Sequence, residues 1–173
     1  GEPFIDDHIW TTEPIVDYLT QFSGIQPDDL DPKRTQRTLV SHKTAYKKLR
    51  MLTDLGCRFI GHGLAKDFRI INIFVPPSQV IDTVQLYHSP AHPRNLSLRF
   101  LSWFLLKKDI QQGLALGVEQ HDGHDSIEDA LAALQLFRKY EEFERDGRLE
   151  DMLEDLYEIG PHVNWRPPEK IAS

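Results

Sequence analysis

Arg58-Phe59-Ile60-Gly61-His62-Gly63-Leu64-Ala65-Lys66-Asp67-Phe68 reads as a strand that stops at a tight turn and runs into a helix. The short apolar run from Arg58 to His62 is broken by Gly61-His62-Gly63, and glycines of this kind punctuate a chain at turns. Ala65 to Phe74 then predicts a short helix closed by Pro76-Pro77, because proline can neither donate its amide nor fit a helix interior. Val80 to Tyr87 is rich in β-branched residues and predicts a second strand. Strand, helix and strand in that order point to an α/β domain.

The same alternation holds outward from this stretch. Residues 3 to 10 predict a short strand, and Ser41 to Leu55 an amphipathic helix with Ala45, Leu49 and Leu52 on its apolar side and Gly56 as terminator. Asn95 to Ser97 can cap a helix carrying Leu98, Leu101 and Leu105. A long helix begins at Ser126, with Ile127, Ala130, Leu131, Leu134, Phe137 and Tyr140 on one face. After Gly147 an acidic segment with Met152, Leu153 and Leu156 predicts one more helix, read as a solvated, weakly docked extension. The domain is therefore set at residues 1–146, with 147–173 as an acidic C-terminal tail.

Composition bounds the function. In 173 residues, 40% are hydrophobic, enough for one globular core. Twenty basic against twenty-seven acidic residues give a net charge of -7, which argues against coating nucleic acid by charge alone. Lys33, Arg34, Arg37, Lys43, Lys47, Lys48 and Arg50 nevertheless form a local basic run with no acidic residue among them. That run is read equally as a solvated helix face and as a phosphate-attracting one. The lone Cys57 can form neither an internal disulfide nor a cysteine zinc cluster, so a reducing compartment is expected. With no membrane-length apolar run and no signal-peptide pattern, the expectation is a soluble cytoplasmic protein. Gly1 opens the chain and the only methionines are Met51 and Met152, so a piece of a longer polypeptide is expected.

The chemistry concentrates in His121-Asp122-Gly123-His124-Asp125-Ser126-Ile127-Glu128-Asp129-Ala130. Read for local structure alone, Ser126-x-x-Asp129 and Asp125-x-x-Glu128 are capping registers, and acidic residues suit a helix N-terminus. His124 is not explained by capping, since the helix dipole disfavours an imidazolium there unless a carboxylate or metal offsets it. Asp67 likewise suits the first turn of its helix, yet it follows a strand end, where open α/β sheets place their ligands.

Gly61-His62-Gly63-Leu64-Ala65-Lys66-Asp67-Phe68 resembles the second motif of the DEDDh 3′-to-5′ exonucleases, and His124-Asp125-Ser126-Ile127-Glu128-Asp129-Ala130 resembles their third. Asn95-Leu96-Ser97-Leu98-Arg99-Phe100-Leu101 is similar to the helix between those motifs, and Phe22-Ser23-Gly24-Ile25 to the loop after the third strand. Within the family, Glu13 to Ile25 and His124 to Ala130 look most like the nuclease domains of poly(A)-specific deadenylases. The resemblance implies a ribonuclease-H-like mixed sheet flanked by helices, removal of AMP from the 3′ ends of mRNA poly(A) tails, and two divalent metal ions, Mg²⁺ or Mn²⁺. It implies Asp67 and Asp129 as metal ligands and His124 as general base. Phe22 and Ile25 become candidates for contact with the RNA bases, because single strands are held by stacking on aromatic or apolar side chains; packing of their loop on the core is the competing reading. Implied partners are poly(A) RNA, upstream domains of the same polypeptide, a regulatory pseudokinase-like subunit and poly(A)-binding protein.

One departure is large. The family's first motif, Asp-x-Glu on the first strand, occurs nowhere in this sequence. That motif and the first strands are expected upstream of Gly1, so residues 1–173 alone are expected to be inactive and poorly folded. A nuclease fold that has lost catalysis and serves as an RNA-binding or scaffold module is the alternative. A helical His-Asp phosphohydrolase, suggested by His121-Asp122 and His124-Asp125, is opposed by the strands at Arg58 and Val80.

Overall fold

The computed structural model describes residues 2–111 and 125–168, the side chains of Gln21 and Phe22 excepted. In chain order it contains β1 (Asp7–Trp10), α1 (Thr20–Ser23), a 3-10 turn (Pro27–Leu30), β2 (Thr38–Ser41) and α2 (His42–Asp54). There follow β3 (Phe59–Gly61), α3 (Leu64–Ile71), a second 3-10 turn (Pro77–Gln79), β4 (Val80–Asp82) and α4 (Thr83–Leu86). The chain continues through α5 (Leu98–Leu101), a π-helical turn (Ser102–Leu106), α6 (Ser126–Arg145) and α7 (Leu149–His162). These elements make two compact units, one from residues 2–59, 64–80, 111 and 125–128, the other from residues 60–63, 81–110 and 129–168. No helix among the described residues is long and apolar enough to cross a membrane.

In the first unit β1 and β2 pair in parallel, Asp7 opposite Thr38 and Trp10 opposite Ser41. Parallel strands need a crossover of a dozen or more residues, and the segment holding α1 and the first 3-10 turn supplies it. Ser41 both ends β2 and caps α2, its Oγ accepting from the Thr44 N–H at 3.2 Å. Lys48 on α2 reaches Asp7 on β1, with Nζ 2.6 Å from the carboxylate. At the other end Gly56 takes φ +76°, a conformation in which a side chain is strained, and the helix stops there as its sequence predicts. The Gln79 side-chain amide then donates to the carbonyls of Thr53 and Cys57, both at 3.0 Å, satisfying acceptors that a helix end leaves open. Phe59 and Phe68 pack edge to face, with centroids 5.6 Å apart.

In the second unit β3 and β4 are hydrogen-bonded neighbours. β4 is shorter than its β-branched composition predicts, for the segment Thr83–Leu86 is a helical turn. The cause is Asp82, whose carboxylate accepts from the Val84 N–H at 3.0 Å and caps the turn, so local hydrogen bonding outweighs strand propensity. α5 is also shorter than predicted. Ser97 caps it as expected, but after Leu101 the backbone widens into the π-helical turn and leaves it at Lys107, φ +57°.

The core of this unit joins α5, α6 and α7 around Tyr87, Phe100, Leu101, Leu136 and Leu156, each at 0% exposure. Tyr87 donates its hydroxyl to the Leu136 carbonyl at 2.9 Å, and burial drives its pKa upward, so it stays a neutral donor. The expectation of a weakly docked tail is overturned here. α7 buries Met152, Leu156, Tyr157 and Gly160, while its many carboxylates occupy the outer face. The helix ends by folding Trp165 back over Gly160, with the Trp165 N–H donating to the Gly160 carbonyl at 2.8 Å. The indole ring fills the space a β-carbon on Gly160 would need, and packs against Phe100 and Tyr157. Gly160→Ala is therefore expected to destabilise the protein by about 1–3 kcal/mol through overpacking, despite alanine's better helix propensity. A thermal melt checks it; a melting temperature equal to or above that of the wild type contradicts it.

Candidate active site

The site is built outward from the Gly61–Gly63 turn. β3 ends at Gly61, and Gly63 takes φ +81°, so the chain reverses at a position only glycine occupies without strain. The Gly63 N–H donates to Asp82 Oδ1 at 2.8 Å, and the same oxygen accepts from Val84, so one buried carboxylate holds both the turn and the start of α4. Thr83, fully buried, donates its hydroxyl to the Gly61 carbonyl at 2.9 Å. Its oxygen also lies 2.9 Å from His62 Nδ1, which can donate to it. Three hydrogen bonds thus lock the end of β3 to the end of β4.

His62 sits in a contest of fields. Burial lowers its pKa most; the Asp82 carboxylate, a hydrogen bond with the Leu96 backbone and the Asp129 carboxylate all raise it, and the net shift is downward. The ring is therefore mainly neutral at pH 7, and Asp129, half-buried in the first turn of α6, is close enough for its charge to be felt there. Within this unit hydrogen bonds tie Asp82 and Thr83 to the Gly61–Gly63 turn and Thr83 to the His62 ring, on which the charge of Asp129 also acts. His62, Asp82 and Thr83 are absent from the sequence-based site. The available signal was Asp82-Thr83 after Val80-Ile81, an acidic cap directly following an apolar strand.

Asp67 lies in the first turn of α3, exposed, four residues beyond the clamped Gly63. α6 begins with Asp125 as its cap, Oδ1 accepting from the N–H groups of Ile127 at 2.8 Å and Glu128 at 3.3 Å. Of the two capping registers, the one headed by Asp125 is used; Ser126 is already the first helical residue. Glu128 does not reach back to the cap, and accepts instead from the Gln111 N–H at 3.1 Å. His124 lies outside the described residues, as does the Phe22 side chain. Ile25 is half-buried, its carbonyl accepting from Thr20 Oγ1 at 2.6 Å and its N–H donating to Ser23 Oγ at 3.0 Å. That bonding fixes the backbone of the loop the resemblance assigns to RNA.

The basic run is largely neutralised by acids outside it. Arg34 pairs with Asp28 at 3.0 Å, Arg37 with Asp29 at 3.9 Å, Lys48 with Asp7, and Arg50 with Asp54 at 2.9 Å. Such pairing favours the reading of a solvated surface over a phosphate-binding one.

The exonuclease family profile of the RNase T type matches residues 1–137. The chain belongs to this exonuclease family. It is 58% identical over 170 residues to the PAN2-PAN3 deadenylation complex catalytic subunit PAN2 of Chaetomium globosum, covering 98% of this chain and 15% of that protein. The Schizosaccharomyces pombe subunit of the same name is 51% identical over the whole chain, which again spans 15% of the relative. Among solved structures, the Neurospora crassa Pan2 catalytic unit, comprising protease and nuclease domains, superposes with a TM-score of 0.81 at 58% identity, over 89% of this chain and 24% of that one. The Saccharomyces cerevisiae Pan2 pseudoubiquitin hydrolase-RNA exonuclease module in complex with A7 RNA gives 0.81 at 42% identity, over 96% of this chain and 26% of that one. The fold is thus the ribonuclease-H-like fold of PAN2 nuclease modules, as the motif resemblance implies.

Membership of an exonuclease family sets the donor question. Asp67 and Asp129 offer hard carboxylate oxygens, the ligand type that Mg²⁺ and Mn²⁺ take, and each heads a helix at its first turn. Among the described residues no group of three His, Cys, Asp or Glu side chains forms a complete ligand set. The donors present fit such an ion in kind; Mg²⁺ uses few protein carboxylates and takes the rest of its shell from water and phosphate.

Proposed function

We propose that this chain is the nuclease domain of a deadenylase, a 3′-to-5′ exoribonuclease that removes AMP from the 3′ end of mRNA poly(A) tails. The observation carrying the reading is a β3 end held by hydrogen bonds to the buried Asp82 and Thr83, with the charge of Asp129 acting on the His62 ring, in a chain of the exonuclease family. The relatives named as deadenylation-complex subunits and the neighbour bound to A7 RNA support poly(A) as the substrate.

Asp67 and Asp129 hold divalent cations, Mg²⁺ or Mn²⁺. Bound there, such ions supply charge neutralisation for the scissile phosphate and the leaving oxygen. His124 accepts the proton of the attacking water, a task suited to histidine because the unperturbed pKa of an imidazole, about 6.5, lies near neutral pH. The water oxygen bonds to phosphorus as the bond to the 3′-oxygen breaks; that oxygen takes a proton from solvent to become a new 3′-hydroxyl, and His124 returns its proton to solvent. One water is consumed, and AMP and an RNA one nucleotide shorter are released. Phe22 and Ile25 contact the terminal bases. The domain works in the cytoplasm with upstream domains of its own polypeptide, a pseudokinase-like regulatory subunit and poly(A)-binding protein.

The test is incubation of the intact protein and Mg²⁺ with 5′-labelled RNA ending in oligo(A). The expected result is a ladder shortening from the 3′ end with AMP as the released nucleotide. RNA that is bound but never shortened contradicts it and supports the scaffold reading.

A further inference from the structure

The loop joining α4 to α5 carries Ser89-Pro90-Ala91-His92-Pro93-Arg94, and it is held more firmly than a connector needs. Two prolines restrict its backbone. The His92 N–H donates to the Ser89 carbonyl at 3.0 Å. The buried Tyr157 of α7 ties both ends, its hydroxyl donating to the Arg94 carbonyl at 2.8 Å and accepting from the Ser89 N–H at 3.4 Å. On this frame two exposed side chains lie flat against aromatic rings of the same unit. The His92 ring stacks on Tyr157 with centroids 4.5 Å apart and planes 8° from parallel. The Arg94 guanidinium lies over the Trp165 ring, its central carbon 4.8 Å from the centroid. Tyr157 and Trp165 in turn meet edge to face at 5.8 Å, and Trp165 packs on the fully buried Phe100. Each exposed planar group therefore has one side on a fixed aromatic ring and the other toward solvent.

Charge points the same way. Residues 83–108 contain no acidic residue in a chain that carries twenty-seven, and among the described residues no carboxylate pairs with Arg94. Any apolar side chain would cover Tyr157 and Trp165 equally well; an imidazole and a guanidinium add flat outer faces with an unneutralised cation between solvent and core. Single-stranded RNA is gripped by stacking of its bases on aromatic rings and guanidinium planes, with cations drawing the phosphates. We propose that His92 and Arg94 form a stacking platform for bases of single-stranded RNA, in addition to the contacts read for Phe22 and Ile25. The inference rests on the reading of single-stranded RNA as this chain's ligand. A loop already fixed by prolines and by Tyr157 loses little freedom when it binds, which favours affinity.

The test is fluorescence anisotropy of 5′-labelled oligo(A) with the intact protein in EDTA, so that no turnover consumes the probe. His92→Ala and Arg94→Ala are each expected to weaken binding by about fivefold or more, the loss typical of one stacked base, with the double variant weaker than either. Arg94→Lys keeps the charge and loses the plane, and is expected to bind as weakly as Arg94→Ala. Arg145→Ala removes an exposed cation at the end of α6 and is expected to bind like the wild type. Arg94→Lys binding like the wild type would reduce the surface to charge and overturn the platform. A double variant that binds like the wild type overturns it too, while AMP release by the same protein leaves the deadenylase reading standing. Weakened binding in these variants of a protein that releases no AMP sustains the platform and removes the deadenylase reading. A wild-type protein that ignores oligo(A) but binds a labelled Glu-rich peptide containing tyrosine through Arg94 makes the loop a protein-docking surface and overturns the inference.

Discussion

Asp129→Asn is expected to slow 3′-terminal AMP release by about a thousandfold, equivalent to about 4 kcal/mol of transition-state stabilisation. The substitution keeps the side chain's shape and removes its charge. The charge's favourable interaction with the dipole of the half-buried helix start is worth only about 0.3–1 kcal/mol. Folding and RNA binding should therefore survive, and the loss should fall on the rate at saturating RNA. Asp67→Asn, on the exposed first turn of α3, is expected to behave alike. The measurement is single-turnover shortening of oligo(A) by variants whose melting temperatures match the wild type within a few degrees. Retention of more than about a tenth of the wild-type rate by either variant would remove that residue from the machinery.

The second large effect concerns stability. Leu156→Ala is expected to cost about 2–5 kcal/mol, the range for emptying a fully buried leucine site. In a chain of this size that lowers the melting temperature by on the order of 10 °C. Leu156 belongs to the same cluster as Leu136 and Phe100, so the cavity would open between α7 and the helices it packs on. A solvated tail would give a different result, because surface substitutions change stability by about 0.5 kcal/mol or less. Thermal or urea denaturation of the purified variant separates the two outcomes.

The misreading of α7 shows where sequence patterns mislead. Glu150, Asp151, Glu154, Asp155 and Glu158 dominate its composition, yet Met152, Leu156 and Gly160 recur every four residues and make the buried stripe. Composition hid a periodicity that a stricter count along the helix would have found. Glycine in that stripe was illegible for another reason: its role is to admit Trp165, which only the folded chain brings there. β2 escaped notice because four residues, Thr38-Leu39-Val40-Ser41, lie beside a basic run and pair with a strand far back in the chain. Val80 to Tyr87 was over-extended because β-branched residues fit strand and helix alike until Asp82 caps the turn.

The site was legible in proportion to how local its signals are. Gly61, Gly63, Asp67 and Asp129 stand out through glycine punctuation and acidic first turns, all short-range features. His62 does not, because its partner Thr83 is twenty-one residues away and a single histidine carries no period. The overall family was readable because two motifs occur in the right order with a strand and a helix between them.

The most direct test of the central claim is anomalous diffraction from crystals of the intact protein grown with Mn²⁺ and oligo(A). Expected are Mn²⁺ peaks at about 2.0–2.2 Å from the carboxylate oxygens of Asp67 and of Asp129, the separation usual for oxygen ligands of small divalent ions. A Mn²⁺ ion bound elsewhere, with both carboxylates engaged only by protein or solvent, would contradict the assignment of the site.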